Sequence, residues 1–199
     1  MTATDETDVT PRPPHLLLTI AGAIGLVAAF VLTIDKFTLL QDKIDGVEST
    51  FSCDFSAFVS CGGVMDSDQA SAFGFPNSLL GIVGFTVVTA LGVLFWSGAP
   101  VKGWMWAGLQ AGALFGIGFV TWLQFQSIYR IELLCPYCMV VWAAMIPLFV
   151  GITAYSLRRF RPDSGLTRFV SNWTVLIVAL WYVAVASAIW FQFGDRLWA

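Results

Sequence analysis

Two cysteines separated by a proline and a tyrosine, Cys135-Pro136-Tyr137-Cys138, head an apolar run from Met139 to Leu157. Thiols at that spacing can close a small disulfide ring. At a helix N-terminus they meet the positive end of the helix dipole, which favours the thiolate. Pro136 suits the first turn, whose N–H groups are unpaired in any case. The pattern describes a redox dithiol held at the rim of a bilayer. A second, wider pair, Cys53 and Cys61, lies in a loop earlier in the chain.

The four cysteines admit three readings. They can form two structural disulfides. They can ligate a metal, although the wide Cys53–Cys61 interval departs from close zinc-ligand spacing, and no metal is expected. They can also be two exchangeable couples in an electron relay. A Cys-x-x-Cys ring closes so short a loop that it adds little entropic stability, which favours chemistry over stapling. One couple on a loop and one at a membrane rim also suit stepwise transfer. Electrons leaving thiols need an acceptor. The chain shows no Cys/His metal motif, flavin motif or nucleotide-binding glycine loop. A lipid-soluble quinone, menaquinone or ubiquinone, is an acceptor such a site can reach from within the bilayer. It is expected between Cys138, Asn77 and Trp142, with Met65 and Leu80 closing the pocket. Asn77 can hydrogen-bond a quinone oxygen, and Trp142, one turn beyond Cys138, can stack or donate its indole N–H.

Positioning these residues takes a membrane domain. Of 199 residues, 57% are hydrophobic and 12% charged, and mean hydropathy is +0.77. A soluble domain rarely carries that balance. Five stretches lack Asp, Glu, Lys and Arg: 13–34, 69–101, 103–129, 133–157 and 169–194. Some 20 helical residues span roughly 30 Å of hydrocarbon. The expectation is an all-α integral membrane protein with transmembrane helices near 14–34, 76–97, 103–127, 136–157 and 172–193. Residues 1–12 read as a disordered cytoplasmic tail and 13–199 as a single membrane domain. The first span is longer than the apolar core of a signal peptide, and Asp5, Glu6 and Asp8 precede it, so it is read as retained.

Basic residues orient the spans. Arg12, Lys102, Arg158, Arg159, Arg161 and Arg168 fall on the N-terminal face, and Lys36, Lys43, Arg130 and Arg196 on the other. The N-terminus is therefore expected inside, with Ala199 and all four cysteines outside, where disulfides persist. The net charge of −3 and the lack of a basic cluster give no reason to expect nucleic acid.

Residues 35–72 form the long outer loop. Phe51, Phe55 and Phe58 are spaced as a helical stripe, which predicts a short amphipathic helix lying over the ends of the spans. Gly22 and Gly25 predict a close helix approach, and Gly108, Gly112 and Gly116 predict a packing seam. Gln124 and Gln126 are read as inter-helix hydrogen bonders. Arg130, Ile131 and Glu132 leave room only for a tight hairpin before Cys135. The fifth helix is assigned a packing role. Trp96, Trp104, Trp173, Trp190 and Trp198 read as interfacial anchors.

Taken together, Cys53-Asp54 with Ser60-Cys61, Phe73-Gly74-Phe75-Pro76-Asn77-Ser78 with Gly81, and Cys135-Pro136-Tyr137-Cys138 resemble the vitamin K epoxide reductase family, in its bacterial disulfide-forming branch. The resemblance covers about residues 16–157. It implies a four-helix transmembrane bundle around a quinone, capped by the long outer loop, with a fifth transmembrane helix here in addition. It implies that Cys135 and Cys138 face the quinone and that Cys53 and Cys61 shuttle to a partner. Asn77 matches a quinone-contacting asparagine. Trp142 stands where the animal enzymes carry a tyrosine. Many bacterial relatives carry a fused thioredoxin-like domain. Here the partner, a thioredoxin-fold (DsbA-like) protein outside a bacterial inner membrane, is expected to be separate or to have been removed.

The implied activity is a quinone-dependent thiol oxidoreductase that supports disulfide formation. The partner would attack Cys53, the exposed sulfur. Released Cys61 would attack Cys135, and Cys138 would pass two electrons to the quinone. Loop motion is expected to bring Cys61 to Cys135. Four-helix disulfide-oxidising proteins of the bacterial inner membrane carry their Cys-x-x-Cys in the first outer loop, the reverse of the order here. The alternative from another class is a non-catalytic membrane scaffold or transporter with two structural disulfides.

Overall fold

The computed structural model describes residues 13–47, 51–56, 58–98 and 102–197, with side chains as far as Gly194. The tail expected over residues 1–12 lies outside them. The elements are helices α1 (His15–Asp45), α2 (Cys61–Asp66), α3 (Asn77–Trp96), α4 (Gly103–Gln126), α5 (Pro136–Phe160), α6 (Gly165–Asn172) and α7 (Thr174–Leu197). A 3₁₀ turn (Asp68–Ser71) precedes α3, and a π turn (Ser127–Ile131) follows α4. Five helices, α1, α3, α4, α5 and α7, are long and apolar enough to cross a membrane. The protein is an all-α membrane protein, as its composition predicts.

The first helix does not stop at Ile34. It runs on through Asp35, Lys36, Asp42 and Lys43 to Asp45 and ends at Gly46, which takes φ 68° as a left-handed cap. Charge ends the apolar run but does not break a helix; a glycine in the left-handed conformation does. At 1.5 Å per residue, α1 is about 46 Å long, so roughly 15 Å projects beyond the hydrocarbon. That projection is a post against which the cap rests. Lys36 Nζ donates to the Met65 carbonyl at 2.5 Å, and Lys43 pairs with Asp66, so α1 holds the C-terminal end of α2.

The stripe Phe51–Phe58 is not a helix. Its described residues form an irregular loop in which Ser56 bridges to Val59, and the cap's short helix starts instead at Cys61. Two long-range constraints override the local periodicity. One is the Cys53–Cys61 disulfide. The other is backbone pairing with the segment before α5: Leu134 N donates to Phe58 O at 2.9 Å and Ser60 N donates to Leu134 O at 3.0 Å. Phe58 turns inward and meets Phe193 of α7, ring centroids 6.2 Å apart. The fifth helix thus props the cap from the side.

Inside the bundle, α1 packs against α3 and α5, and α5 against α4, while α3 scarcely touches α4. The α1–α3 approach is as close as the glycines predict. A Cβ on Gly22 would lie 2.5 Å from Thr89 Oγ1, and one on Gly92 would lie 2.6 Å from the Thr19 backbone nitrogen. Backbone cannot step aside as a flexible side chain can, so Gly92→Ala is expected to destabilise the bundle by about 1–3 kcal/mol, read as a lower unfolding midpoint in detergent. Pro147 within α5 has no N–H for the Ala143 carbonyl one turn back. The Tyr182 hydroxyl of α7 donates to that carbonyl at 2.6 Å, tying α7 to α5. Trp96, Trp104, Trp173 and Trp190 are all exposed, as interfacial anchors should be, and Trp198 lies outside the described residues.

Candidate functional site

The redox centre is built where two chain segments pair in parallel. Val59 bridges Leu134, and the residues that follow are Ser60-Cys61 and Cys135. The Ser60 and Leu134 hydrogen bonds fix the register, and one step further along the two sulfurs meet: Cys135 Sγ donates to Cys61 Sγ at 3.4 Å. Each sulfur sits at a helix start. Cys61 is the first residue of α2, whose N-cap Ser60 accepts from Gly63 N at 3.0 Å. Cys135 is the N-cap of α5, and its sulfur accepts from Cys138 N at 3.4 Å. Pro136 follows in the first turn, as its chemistry predicts. The approach to Cys135 is set by Glu132, left-handed at φ 54°, and by Ser127, whose hydroxyl donates to the Leu133 carbonyl at 2.5 Å.

Cys53 and Cys61 are joined in a disulfide, and Cys135 and Cys138 are thiols. The structure therefore holds an oxidised loop couple against a reduced membrane couple, with the inner sulfur of each in contact. No excursion of the loop is needed to bring Cys61 to Cys135. Cys53 departs from expectation. It is not the exposed sulfur but is 2% exposed, enclosed with Leu32, Leu39, Val64 and Met65 under the cap. The cause is the α1 extension, whose Leu39 walls a side that a chain leaving α1 at residue 34 would have left open.

Asp54 ties the disulfide loop together. Its carboxylate accepts from Phe51 N and from Gly62 N, each at 3.2 Å. Desolvation pushes this carboxyl up, but hydrogen bonds from the Ser60 side chain and the Gly62, Phe51 and Cys61 backbone prevail and hold it below its ordinary value of 3.8. Its contribution to the loop is thus full above that value and is lost as the pH falls through the lower, folded one.

The Cys135 thiol is held below its ordinary value of 9.0. The hydrogen bond from the Cys138 thiol is the main cause, and backbone N–H groups of Cys138 and Tyr137 assist against burial and the Asp35 charge. In protein oxidised only at Cys53–Cys61, the Cys135 thiolate is expected to appear with a midpoint below 9.0. Cys138→Ala removes the largest cause and moves the midpoint up; Cys138→Ser keeps a donor and moves it less. Thiolate ultraviolet absorbance against pH reads both shifts.

Cys138 lies on the wall of a cavity of about 640 Å³, within the roughly 300–1,000 Å³ of small-molecule sites. Asn77, Trp142, Met65 and Leu80, the residues predicted from sequence, line the same cavity. Its walls are almost wholly apolar, from α1, α3, α4 and α5, with the cap above. Val83 and Val87 of α3 and Trp104 and Phe115 of α4 line it and are also exposed. The cavity therefore opens sideways between α3 and α4, toward lipid. Asn77 is less free than expected. Its Nδ2 donates to Gln69 O at 2.6 Å and its Oδ1 accepts from Ala72 N at 3.1 Å, so the amide also folds the cap's 3₁₀ turn. One Nδ2 hydrogen is left for a ligand.

Three features escaped the sequence reading. Gly108 and Gly112 are not a packing seam: beyond their own helix's backbone, no atom of the described residues lies within 4 Å of a Cβ built on either, and both line the cavity. Of that trio only Gly116 packs, its Cβ position 2.8 Å from Met145 Cε. Gln124 is buried with its Nε2 unpartnered among the described residues, while Gln110 makes an inter-helix bond, to Thr153 at 3.1 Å. Ser78, at the cavity wall, is hydrogen-bonded to Thr33 of α1 at 2.8 Å.

A multi-pass helical membrane protein with a disulfide touching a membrane-rim dithiol, beside an apolar cavity open to lipid, defines a membrane thiol–disulfide oxidoreductase. The sequence profile of the Vitamin K epoxide reductase family matches residues 16–154, and the chain belongs to that family. Membership implies a thiol oxidoreductase that uses quinone. No curated protein matches the chain in a sequence search.

Proposed function

We propose that the protein reoxidises a thioredoxin-fold partner on the extracytoplasmic side of a bacterial inner membrane and delivers the electrons to menaquinone or ubiquinone. A partner thiolate attacks Cys53, forming a mixed disulfide and releasing the Cys61 thiolate. The partner's second thiol resolves it, leaving with a disulfide and leaving Cys53 and Cys61 reduced. Cys61 attacks Cys135 of an oxidised Cys135–Cys138 couple and displaces Cys138. Cys53 then attacks Cys61, restoring the loop disulfide and reducing Cys135. The Cys135/Cys138 dithiol returns to a disulfide by giving two electrons and two protons to a quinone. Thiol exchange demands sulfur-to-sulfur approach, and the observation that carries the reading is the 3.4 Å contact between Cys61 and Cys135. It is the contact on the path before or after exchange, whichever way electrons run.

Cys138 is the electron donor to the headgroup, Asn77 a hydrogen-bond donor and Trp142 a stacking or N–H partner, with Met65 and Leu80 as apolar walls. Their common place around one cavity supports these roles. Because Cys53 is enclosed, partner docking has to lift the cap, at the Phe55 edge that is already exposed. The basic Arg158–Arg168 segment at the far end from the cysteines supports a cytoplasmic N-terminus.

The test is anaerobic mixing of the fully reduced protein with a quinone, following quinone absorbance and the thiol count together. Two thiols are expected to disappear for each quinone reduced, in wild type and not in Cys138→Ala. Quinone reduction that persists without Cys138 overturns the assignment.

A further inference from the structure

Among the described residues that line the apolar cavity, one is charged, and the relay does not use it. Lys36 is 9% exposed and lines the cavity with Leu32 and Ala29, one and two turns away on the same face of α1. A buried ammonium costs several kcal/mol unless charge or hydrogen bonds compensate it. Among the described residues its hydrogen bond is to the neutral Met65 carbonyl, at 2.5 Å. The charges that act on it are those of Asp66 and Lys43, and these two pair with each other. An ammonium carries three N–H donors, so two remain for a ligand. A cap clasp alone would need only a neutral donor.

We propose that Lys36 is the charged donor of this cavity, hydrogen-bonding a quinone oxygen and stabilising the negative charge that gathers there during reduction. This rests on the quinone reading above and adds to it a residue and a selectivity. Oxidation of the Cys135/Cys138 dithiol gives up two electrons and two protons, the quinone leaves as quinol with both, and Lys36 ends as it began, protonated. Charge on that oxygen, facing a fixed cation in an apolar wall, is stabilised far more than it would be in water. The cavity should therefore prefer an anionic headgroup over a neutral one of the same shape.

Two probes separate the possibilities: menadione, a neutral naphthoquinone, and lawsone, a hydroxynaphthoquinone that is an anion at neutral pH. Binding to the full chain in detergent, with all four cysteines oxidised so that nothing turns over, is read by tryptophan quenching and by the lawsone visible band. Lys36→Gln keeps a donor for the Met65 carbonyl, and Lys36→Arg keeps the charge. Lys36→Gln is expected to weaken lawsone by about tenfold while changing menadione by about twofold or less. Lys36→Arg should hold lawsone within about threefold of wild type. Equal losses of both probes would make Lys36 only a cap clasp, and no loss of either would remove it from the site; each result overturns the proposal. Wild type that fails to bind menadione would instead sink the quinone cavity itself, and this proposal with it.

Discussion

Cys138→Ala is expected to abolish quinone reduction, by at least about a thousandfold, while leaving the Cys61–Cys135 contact, and the exchange step between those two sulfurs, intact. Removing one member of a unit that acts together costs nearly as much as removing the whole, and Cys138 is the sulfur of the four that lines the cavity. Its neighbours keep their contact, since Cys61 and Cys135 are held 3.4 Å apart by the Phe58–Leu134–Ser60 backbone bonds rather than by Cys138. The double variant Cys53→Ala/Cys138→Ala isolates this. It retains two thiols, already in contact, and should close a Cys61–Cys135 disulfide nearly completely under mild oxidant. Peptide mapping reads the cross-link. The scaffold alternative predicts otherwise, because a purely structural Cys53–Cys61 bridge has no reason to be seated on a third sulfur. Failure of the double variant to cross-link would show that the two couples do not communicate, and the relay would fall.

The parts of this site that are local in chemistry were legible in the sequence. A cysteine pair at a helix head with proline between them announces an N-terminus through rules that act over a few residues, and Cys135 and Pro136 occupy those positions. Gly22 and Gly25 announce a close approach for the same reason, and α3 lies against them. What was not legible is whatever a distant segment decides. Phe51, Phe55 and Phe58 carry helical spacing, yet a disulfide and pairing with Leu134 hold that stretch as an irregular loop. Asp35 and Lys36 end an apolar run, which in sequence looks like the end of a helix. Because nothing breaks α1 before Gly46, Lys36 returns to the cavity and Leu39 closes over Cys53. Small residues four apart read the same whether they meet a helix or an opening. Gly116 meets Met145, but Gly108 and Gly112 meet neither side chain nor backbone.

Those open glycines give the second large effect. Gly84 of α3 and Gly112 of α4 line the cavity from its two walls, and neither has an atom within 4 Å of a built Cβ. An alanine there fits without strain and removes a helical glycine, so Gly112→Ala should leave turnover unchanged and add about 0.5–1 kcal/mol of stability. A phenylalanine is different, since its ring takes up space the headgroup or its tail would occupy. Gly84→Phe and Gly112→Phe should each lower kcat/KM for quinone by about tenfold, and together by about a hundredfold, roughly 2.7 kcal/mol. The loss should fall mainly in KM, because the sulfur chemistry at Cys138 is untouched. Cross-linking of Cys61 to Cys135 should be unaffected, because α3 and α4 scarcely meet and the cap register is set elsewhere. A double phenylalanine variant with wild-type quinone kinetics would mean that electrons leave Cys138 by some route other than this lateral opening. The cavity would then be a packing defect of the bundle, not the place where a membrane-borne acceptor meets the dithiol.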